Sequence, residues 1–429
     1  MKLHHLSTIA AATALLAACG GSSDDNSPAR GELLDPAAEV ATLTAAQIDA
    51  ANPMQSASGS ARCDVQVVAL NYATVGAKGE DGANASGVLL MPAGDDPACA
   101  GPAPLVAYAR GTNALKTRTL ADPNDGETAS LIAFFAAQGY AVVATDYLGY
   151  AKSNYAYHPY LHADSEASSV IDSVRAAASV AGDRLSGQLM FTGYSQGGHA
   201  SMAAQRAAEA QDPIEGFDVI AGAHLAGPYN LGTALSLPTP TAGAQLFLPF
   251  MVTAWQHTYG NIYDKASDAF QTPYDSAIES WFPTLNLTEL YTNLRMDLPA
   301  ASALDLIMQP EFMAKTRSQS NALYQAGVNN SFLGWTPTAP VLLCGGAGDP
   351  VVPPAIHQNV LKADFDARNV IHVSSVDVDP LIQATFGIDG KAPTDPASPE
   401  FATYYGNYHS PYEPIFCYAA ARQFFDSAR

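Results

Sequence analysis

Cations are scarce in this chain: 20 Lys and Arg stand against 41 Asp and Glu, a formal net charge of −21 at pH 7 over 429 residues. No basic run interrupts the acidity, so the sequence offers nothing to neutralise a phosphate backbone, and this argues against nucleic acid as a partner. The acidity itself needs no acidic function, because it keeps an exposed protein soluble. A membrane-spanning run is missing as well. The apolar and small stretch at residues 6–18 is shorter than the about 20 residues a bilayer requires. No internal repeat is evident, and only five cysteines occur. What is present is apolar bulk, 48% of the chain, together with 33 Gly and 29 Pro. That is enough for one large domain with an insertion, or for two domains.

The short apolar stretch follows Lys2 and runs into Leu16-Ala17-Ala18-Cys19-Gly20, which reads as an export signal. The segment resembles the lipobox of bacterial lipoproteins, which implies cleavage after residue 18 and lipidation of Cys19, with simple secretory cleavage as the alternative. Gly20 after the cysteine implies sorting to the outer membrane of a Gram-negative cell, a lipid anchor being the sole membrane attachment. Secretion or a periplasmic location is the alternative. Residues 19–40 are expected to form a flexible tether. Four cysteines remain beyond the signal, Cys63, Cys99, Cys344 and Cys417, an even number in a chain sent to an oxidising compartment. They allow three pairings or reduced thiols. The preferred pairing is Cys63 with Cys99 and Cys344 with Cys417, since each would join segments the fold should bring together.

Hydrophobic runs alternate with helical patterns over much of the chain, the signature of a mainly parallel sheet covered by helices. Residues 63–72 and 85–91 flank a turn-rich segment and predict an antiparallel hairpin. Buried-type strands are predicted at 105–108, 141–146, 188–192, 219–223, 341–343 and 370–373. Ala167, Val170, Ile171, Val174, Ala177, Ala178 and Ala181 fall at helical spacing between two of these. The alternation stops over residues 231–335, where Phe247, Phe250, Trp255, Tyr259, Tyr263, Trp281 and Phe282 gather. This predicts a mostly helical cap inserted between core segments 41–230 and 336–429. Most of its aromatics are expected to fill the cap's own core, while together they make an apolar roof over a pocket.

The chemistry concentrates in Gly193-Tyr194-Ser195-Gln196-Gly197-Gly198, set between an apolar strand and a helix, which is the arrangement of a nucleophile elbow. A serine hydroxyl needs a base to remove its proton, and the base needs an acid to hold its tautomer. In the fold that uses this elbow the chain order is Ser, acid, His. Asp349 follows a predicted strand through Gly345-Gly346-Ala347-Gly348, and His409 lies in a loop just before the terminal helix. His357, expected on the next helix, and His372, expected inside a strand, are assigned structural roles. His199 on the nucleophile helix is expected to pack or support, and His158 and His162 to satisfy turn groups. Donors for a tetrahedral oxyanion are expected from the backbone of Gln196 and from Gly111 and Thr112 after the 105–108 strand.

These segments, with Asp146-Tyr147-Leu148-Gly149-Tyr150, resemble α/β-hydrolases of the secretory lipase type and related bacterial lipoprotein esterases. The resemblance spans residues 63–425. It implies an α/β-hydrolase fold, with a mainly parallel central sheet flanked by helices. The activity it implies is carboxylic ester hydrolysis through an acyl-enzyme on Ser195, with no metal or organic cofactor. The substrate would be a small or polymeric ester with apolar groups. Relatives often carry His-Gly at the oxyanion loop, where this chain has Arg110-Gly111. The alternatives are a serine peptidase on the same residues and a noncatalytic envelope-binding protein.

Overall fold

The computed structural model describes residues 27–429. The expected signal peptide (1–18), the lipidation site Cys19 and the first part of the tether lie outside the described residues. One 9-stranded sheet organises the rest. Its strands are β1 (Ala38–Leu43), β2 (Asp64–Thr74), β3 (Ala83–Ala93), β4 (Ala103–Ala109), β5 (Ala141–Tyr147), β6 (Leu185–Tyr194), β7 (Asp218–Leu225), β8 (Val341–Gly345) and β9 (Val373–Asp377). They lie in the order β1-β2-β3-β5-β4-β6-β7-β8-β9. The first three pairings are antiparallel, the predicted hairpin among them, and the remainder parallel. This is the expected α/β-hydrolase architecture.

The central strands are apolar on both faces because helices cover both. Every residue of β4 and β5 is buried. Leu105, Ala107 and Ala109 enter one core with helices Ala163–Ala181 and Gln196–Ala210. Val106 and Tyr108 enter the other, with helices Gly126–Phe134 and Glu413–Ala428. The alternation is the period of two that a pleated strand imposes.

Two expectations are corrected. From Arg30 to residue 40, the expected tether (19–40) is fixed to the core. Arg30 pairs with Asp172 at 3.0 Å and Asp212 at 2.7 Å, the Gly31 N–H donates to Ala73 O, and the sheet already begins at Ala38. Strand β1 lies at an edge and is mostly exposed, so it carries no apolar run to announce it. The last strand forms at Val373–Asp377 rather than at 370–373. Val370 instead returns its N–H to Phe365 O at the end of helix Gln358–Ala367 and buries its side chain there. His372 therefore precedes the strand, with Nε2 2.8 Å from Pro337 O.

Between β7 and β8, which pair directly at Gly222 and Val341, the chain forms helices and turns around its own core. Trp255, Phe250, Tyr263 and Phe282 are buried in that core, the longest helix of which is Ala244–Tyr259. The order in which the chain visits its strands reverses at the centre of the sheet. From β4 the chain passes to β5 on one side and then crosses to β6 on the other, and ligands of such sheets bind beyond the strand C-termini at this point.

Candidate active site

The crossover sets two loops side by side. Ala109 of β4 pairs with Gly193 of β6, so the segment after Ala109 runs beside Tyr194 and Ser195. Ser195 turns the strand into helix Gln196–Ala210 with φ 59° and ψ −119°, a conformation that side chains other than glycine rarely adopt. The turn is that tight only because its neighbours lack a Cβ. A Cβ on Gly193 would lie 2.6 Å from Ala109 O, and one on Gly197 would collide with the same oxygen. Such strain costs roughly 1–3 kcal/mol and persists where the surroundings impose it.

Three distant segments converge here. His409 Nε2 lies 2.9 Å from Ser195 Oγ, and His409 Nδ1 lies 2.7 Å from Asp349 Oδ2. Asp349 follows β8 through the expected glycine turn, and its Oδ1 accepts the Val351 N–H at 2.8 Å. Burial opposes its ionisation, but the charge and hydrogen bond of His409, with backbone N–H donors, hold its carboxyl below the usual carboxylate range. His409 sits in an irregular helical turn, Tyr408–Tyr412, rather than in a plain loop. Cys344 of β8 is joined to Cys417 of the terminal helix, which ties the acid strand to the helix that follows the base. The other disulfide is Cys63–Cys99.

Of the nominated oxyanion donors, Gly111 is corrected. Its N–H donates to Glu127 Oε1 at 2.8 Å, an acceptor that also takes the Tyr108 hydroxyl at 2.6 Å. The loop reads as a free turn in sequence, and only the folded chain brings Glu127 beneath it. The N–H groups of Thr112 and Gln196 have no acceptor among the described residues. Gln196 is the first residue of its helix, so its N–H has no intrahelical partner and points with the positive end of the helix dipole.

The side chains of the other histidines that the sequence singles out form no hydrogen bond with Ser195 or Asp349, although His357 lines the cavity beside Ser195. His199 bonds Glu166 Oε2 at 2.6 Å and Asn330 O at 2.8 Å. His158 lies against Leu148 O and the Gln196 side chain, and burial lowers its pKa to about 3. His357 caps helix Gln358–Ala367 rather than lying within it, and burial lowers its pKa to about 3 as well. His162 contacts Ser165 Oγ, with its pKa lowered by burial to about 4.

Sequence reasoning missed two carboxyls that hydrogen-bond the loops of the site. One is Glu127. The other is Glu413, fully buried four residues after His409, a spacing that could have drawn notice. Its Oε1 accepts the Gly346 N–H at 2.6 Å. Burial, reinforced by the Asp349 carboxylate, raises its carboxyl well above the usual range. Asp349, His409 and Glu413 are also a cluster of metal-donor side chains among the described residues. The 2.7 Å contact between His409 Nδ1 and Asp349 Oδ2 leaves no space for an ion between those two atoms.

Ser195 opens into an apolar cavity of about 140 Å³ lined by Leu231, Leu235, Leu248, Met251, Met313 and Val352, among others. Phe247 is the one expected cap aromatic that lines it. No carboxylate contributes to the lining, and Arg317 is its sole permanently charged residue.

Sheet, elbow and site together define an α/β-hydrolase. A family model described as secretory lipase matches residues 125–294. The rice cell wall degrading esterase LipA from Xanthomonas oryzae, in a ligand-bound form, is 35% identical, with 94% of this chain and 100% of that one covered and a TM-score of 0.79. A putative hydrolase from Legionella pneumophila, 22% identical, covers 92% and 98% with a TM-score of 0.74. Lipase A from Candida antarctica in its closed state, 14% identical, covers 89% and 90% with a TM-score of 0.56. These last two bear on the fold alone. No curated protein matches the chain. The chain belongs to the secretory lipase family and is a hydrolase of the esterase and lipase class. Two disulfides fit a secreted protein, and among the described residues no helix is long and apolar enough to cross a membrane.

Proposed function

We propose that this protein hydrolyses carboxylic esters through an acyl-enzyme on Ser195. The observation that carries the reading is the unbroken contact chain from Ser195 Oγ to His409 and on to Asp349, opening on an apolar cavity. His409 takes the serine proton as Oγ attacks the ester carbonyl, and then gives it to the departing alcohol. Asp349 holds the ring with Nδ1–H toward itself, so that Nε2 is the basic nitrogen, and it stabilises the imidazolium that forms. The Gln196 and Thr112 N–H groups stabilise the oxyanion, with no reorganisation needed at the moment of reaction. Water then attacks the acyl-enzyme with His409 again as base.

The cavity limits the acyl group. An apolar cavity of about 150 Å³ holds a benzene, so about 140 Å³ suits an acyl chain of about six carbons. A polymer or lipid alcohol would remain outside. The lining offers no carboxylate to hold a peptide amine, which disfavours the peptidase reading. With this function go an exported precursor (1–18), a lipid anchor at Cys19 and a cap over residues 231–335 that shapes the cavity. The test is a p-nitrophenyl ester series from acetate to palmitate with a matched peptide anilide, wild type against Ser195→Ala. The expected result is serine-dependent turnover that peaks near butyrate to hexanoate. Turnover retained by a folded Ser195→Ala variant, or faster cleavage of the anilide, would refute it.

A further inference from the structure

One buried carboxyl contacts the acid loop, the base turn and the residue before Ser195, and has no place in the reaction as described. Glu413 opens the terminal helix and is fully buried. Its Oε1 accepts the Gly346 N–H from the acid loop at 2.6 Å, and its Oε2 lies 3.2 Å from the Tyr194 hydroxyl and 3.8 Å from His409 Nδ1. One side-chain nitrogen or oxygen from each of Asp349, His409 and Glu413 lies within 4.8 Å of the others.

A count of protons fixes its state. Tyr194 has one hydroxyl proton, and the 2.6 Å contact with His409 O claims it. For the longer 3.2 Å approach of Tyr194 to Glu413, the carboxyl is then the available donor. Two adjacent buried carboxylates would also repel, and one retained proton relieves that repulsion. Asp349, which faces the imidazole, is the one that ionises. The other titratable groups around Glu413 are Tyr408 on its own turn and Tyr229 after β7.

We propose that Glu413 is a positioning residue, a neutral carboxylic acid that clamps the acid loop after β8 to the base turn and holds His409 in register with Asp349 and Ser195. Gly346 fixes one oxygen to the loop that carries Asp349. The acid proton joins the other oxygen to Tyr194, and Tyr194 in turn holds the His409 carbonyl. This inference rests on the Ser195 reading above.

The experiment compares intact wild type, Glu413→Ala and Glu413→Gln for kcat and KM on p-nitrophenyl butyrate across the pH range, with titration of Ser195 by a serine-directed phosphonate. Misplacing the base by about 1 Å costs on the order of 10²-fold, so Glu413→Ala is expected to lower kcat about 10- to 100-fold with KM within about threefold. Glutamine retains an acceptor for Gly346 and a donor in place of the acid proton. It is expected to recover most of the lost kcat and to keep the acidic limb of the profile where wild type has it. Wild-type kcat in Glu413→Ala would overturn the inference. So would a Glu413→Gln variant with its acidic limb moved to lower pH, as removal of an anion beside the imidazolium would cause. If the alanine variant does not fold, the glutamine profile decides alone. A wild-type enzyme that hydrolyses without labelling overturns the Ser195 reading and this one with it. A labelled enzyme indifferent to Glu413→Ala overturns this one only.

Discussion

Replacement of Glu127 by alanine tests whether the loop after β4, proposed to carry an oxyanion donor at Thr112, is held from below. Glu127 accepts the Tyr108 hydroxyl, the Gly111 N–H and an Arg118 N–H at 2.6, 2.8 and 2.9 Å, and its side chain is 13% exposed. Hydrogen bonds to a charged acceptor contribute about 1.5–3 kcal/mol each. They are not additive, and Arg118 keeps Asp125 at 2.6 Å, so a loss of about 3 kcal/mol in stability is expected. The kinetic effect is separate. Thr112 adjoins Gly111, and loss of one oxyanion donor lowers kcat by roughly 10²–10³. A loosened donor retains part of that, so a drop of about 10- to 100-fold is expected. The assay is kcat and KM on p-nitrophenyl butyrate beside a urea unfolding curve, with Glu127→Gln as an intermediate case. A variant with a lowered urea midpoint but kcat within about twofold of wild type would refute the reasoning. Glu127 would then support the fold without aiming Thr112.

Asp349→Asn removes the group that sets the His409 tautomer, and a loss of about 10⁴-fold in kcat is expected, with circular dichroism to verify the fold. His158, His224 and His357 are buried, and burial lowers each pKa to about 3 from 6.5. Unfolded chains therefore bind more protons between those values, and stability is lost as the pH falls below about 6.5. At pH 5 each histidine costs up to about 2 kcal/mol relative to pH 7, so the urea midpoint should fall steeply between the two; a flat midpoint would contradict it. Reduction of Cys344–Cys417, which are 73 residues apart, removes about 4 kcal/mol of chain-entropy stabilisation. It should lower the melting temperature and kcat together, and a reduced enzyme that loses stability but not rate would show that the bridge does not position His409.

The parts of the molecule that could be read in advance are those encoded locally. Strands β4 to β8 announce themselves because buried parallel strands need continuous apolar runs, and β2 and β3 because two runs flank a turn-rich segment. The elbow does so because its strain demands glycine at positions 193 and 197. Asp349 and His409 follow from their order in the chain. What escaped notice depends on partners far away in sequence. Strand β1 exists because β2 offers an edge, and Gly111 lost its expected role to a carboxylate 16 positions along. Glu413 looks like an ordinary helix-opening acid until folding sets it against Gly346, 67 positions earlier.

The long insertion leaves the sheet at Leu225 and returns at Val341, between strands that are neighbours. Closing a loop grows dearer only with the logarithm of its length, so about 115 residues at this point cost about 3 kcal/mol more than a short turn would. The hydrolytic core can therefore keep one set of reacting atoms while lineages exchange the segment above it. Divergence of substrate preference in proteins built this way is expected to accumulate in that segment, between two strands that need not change.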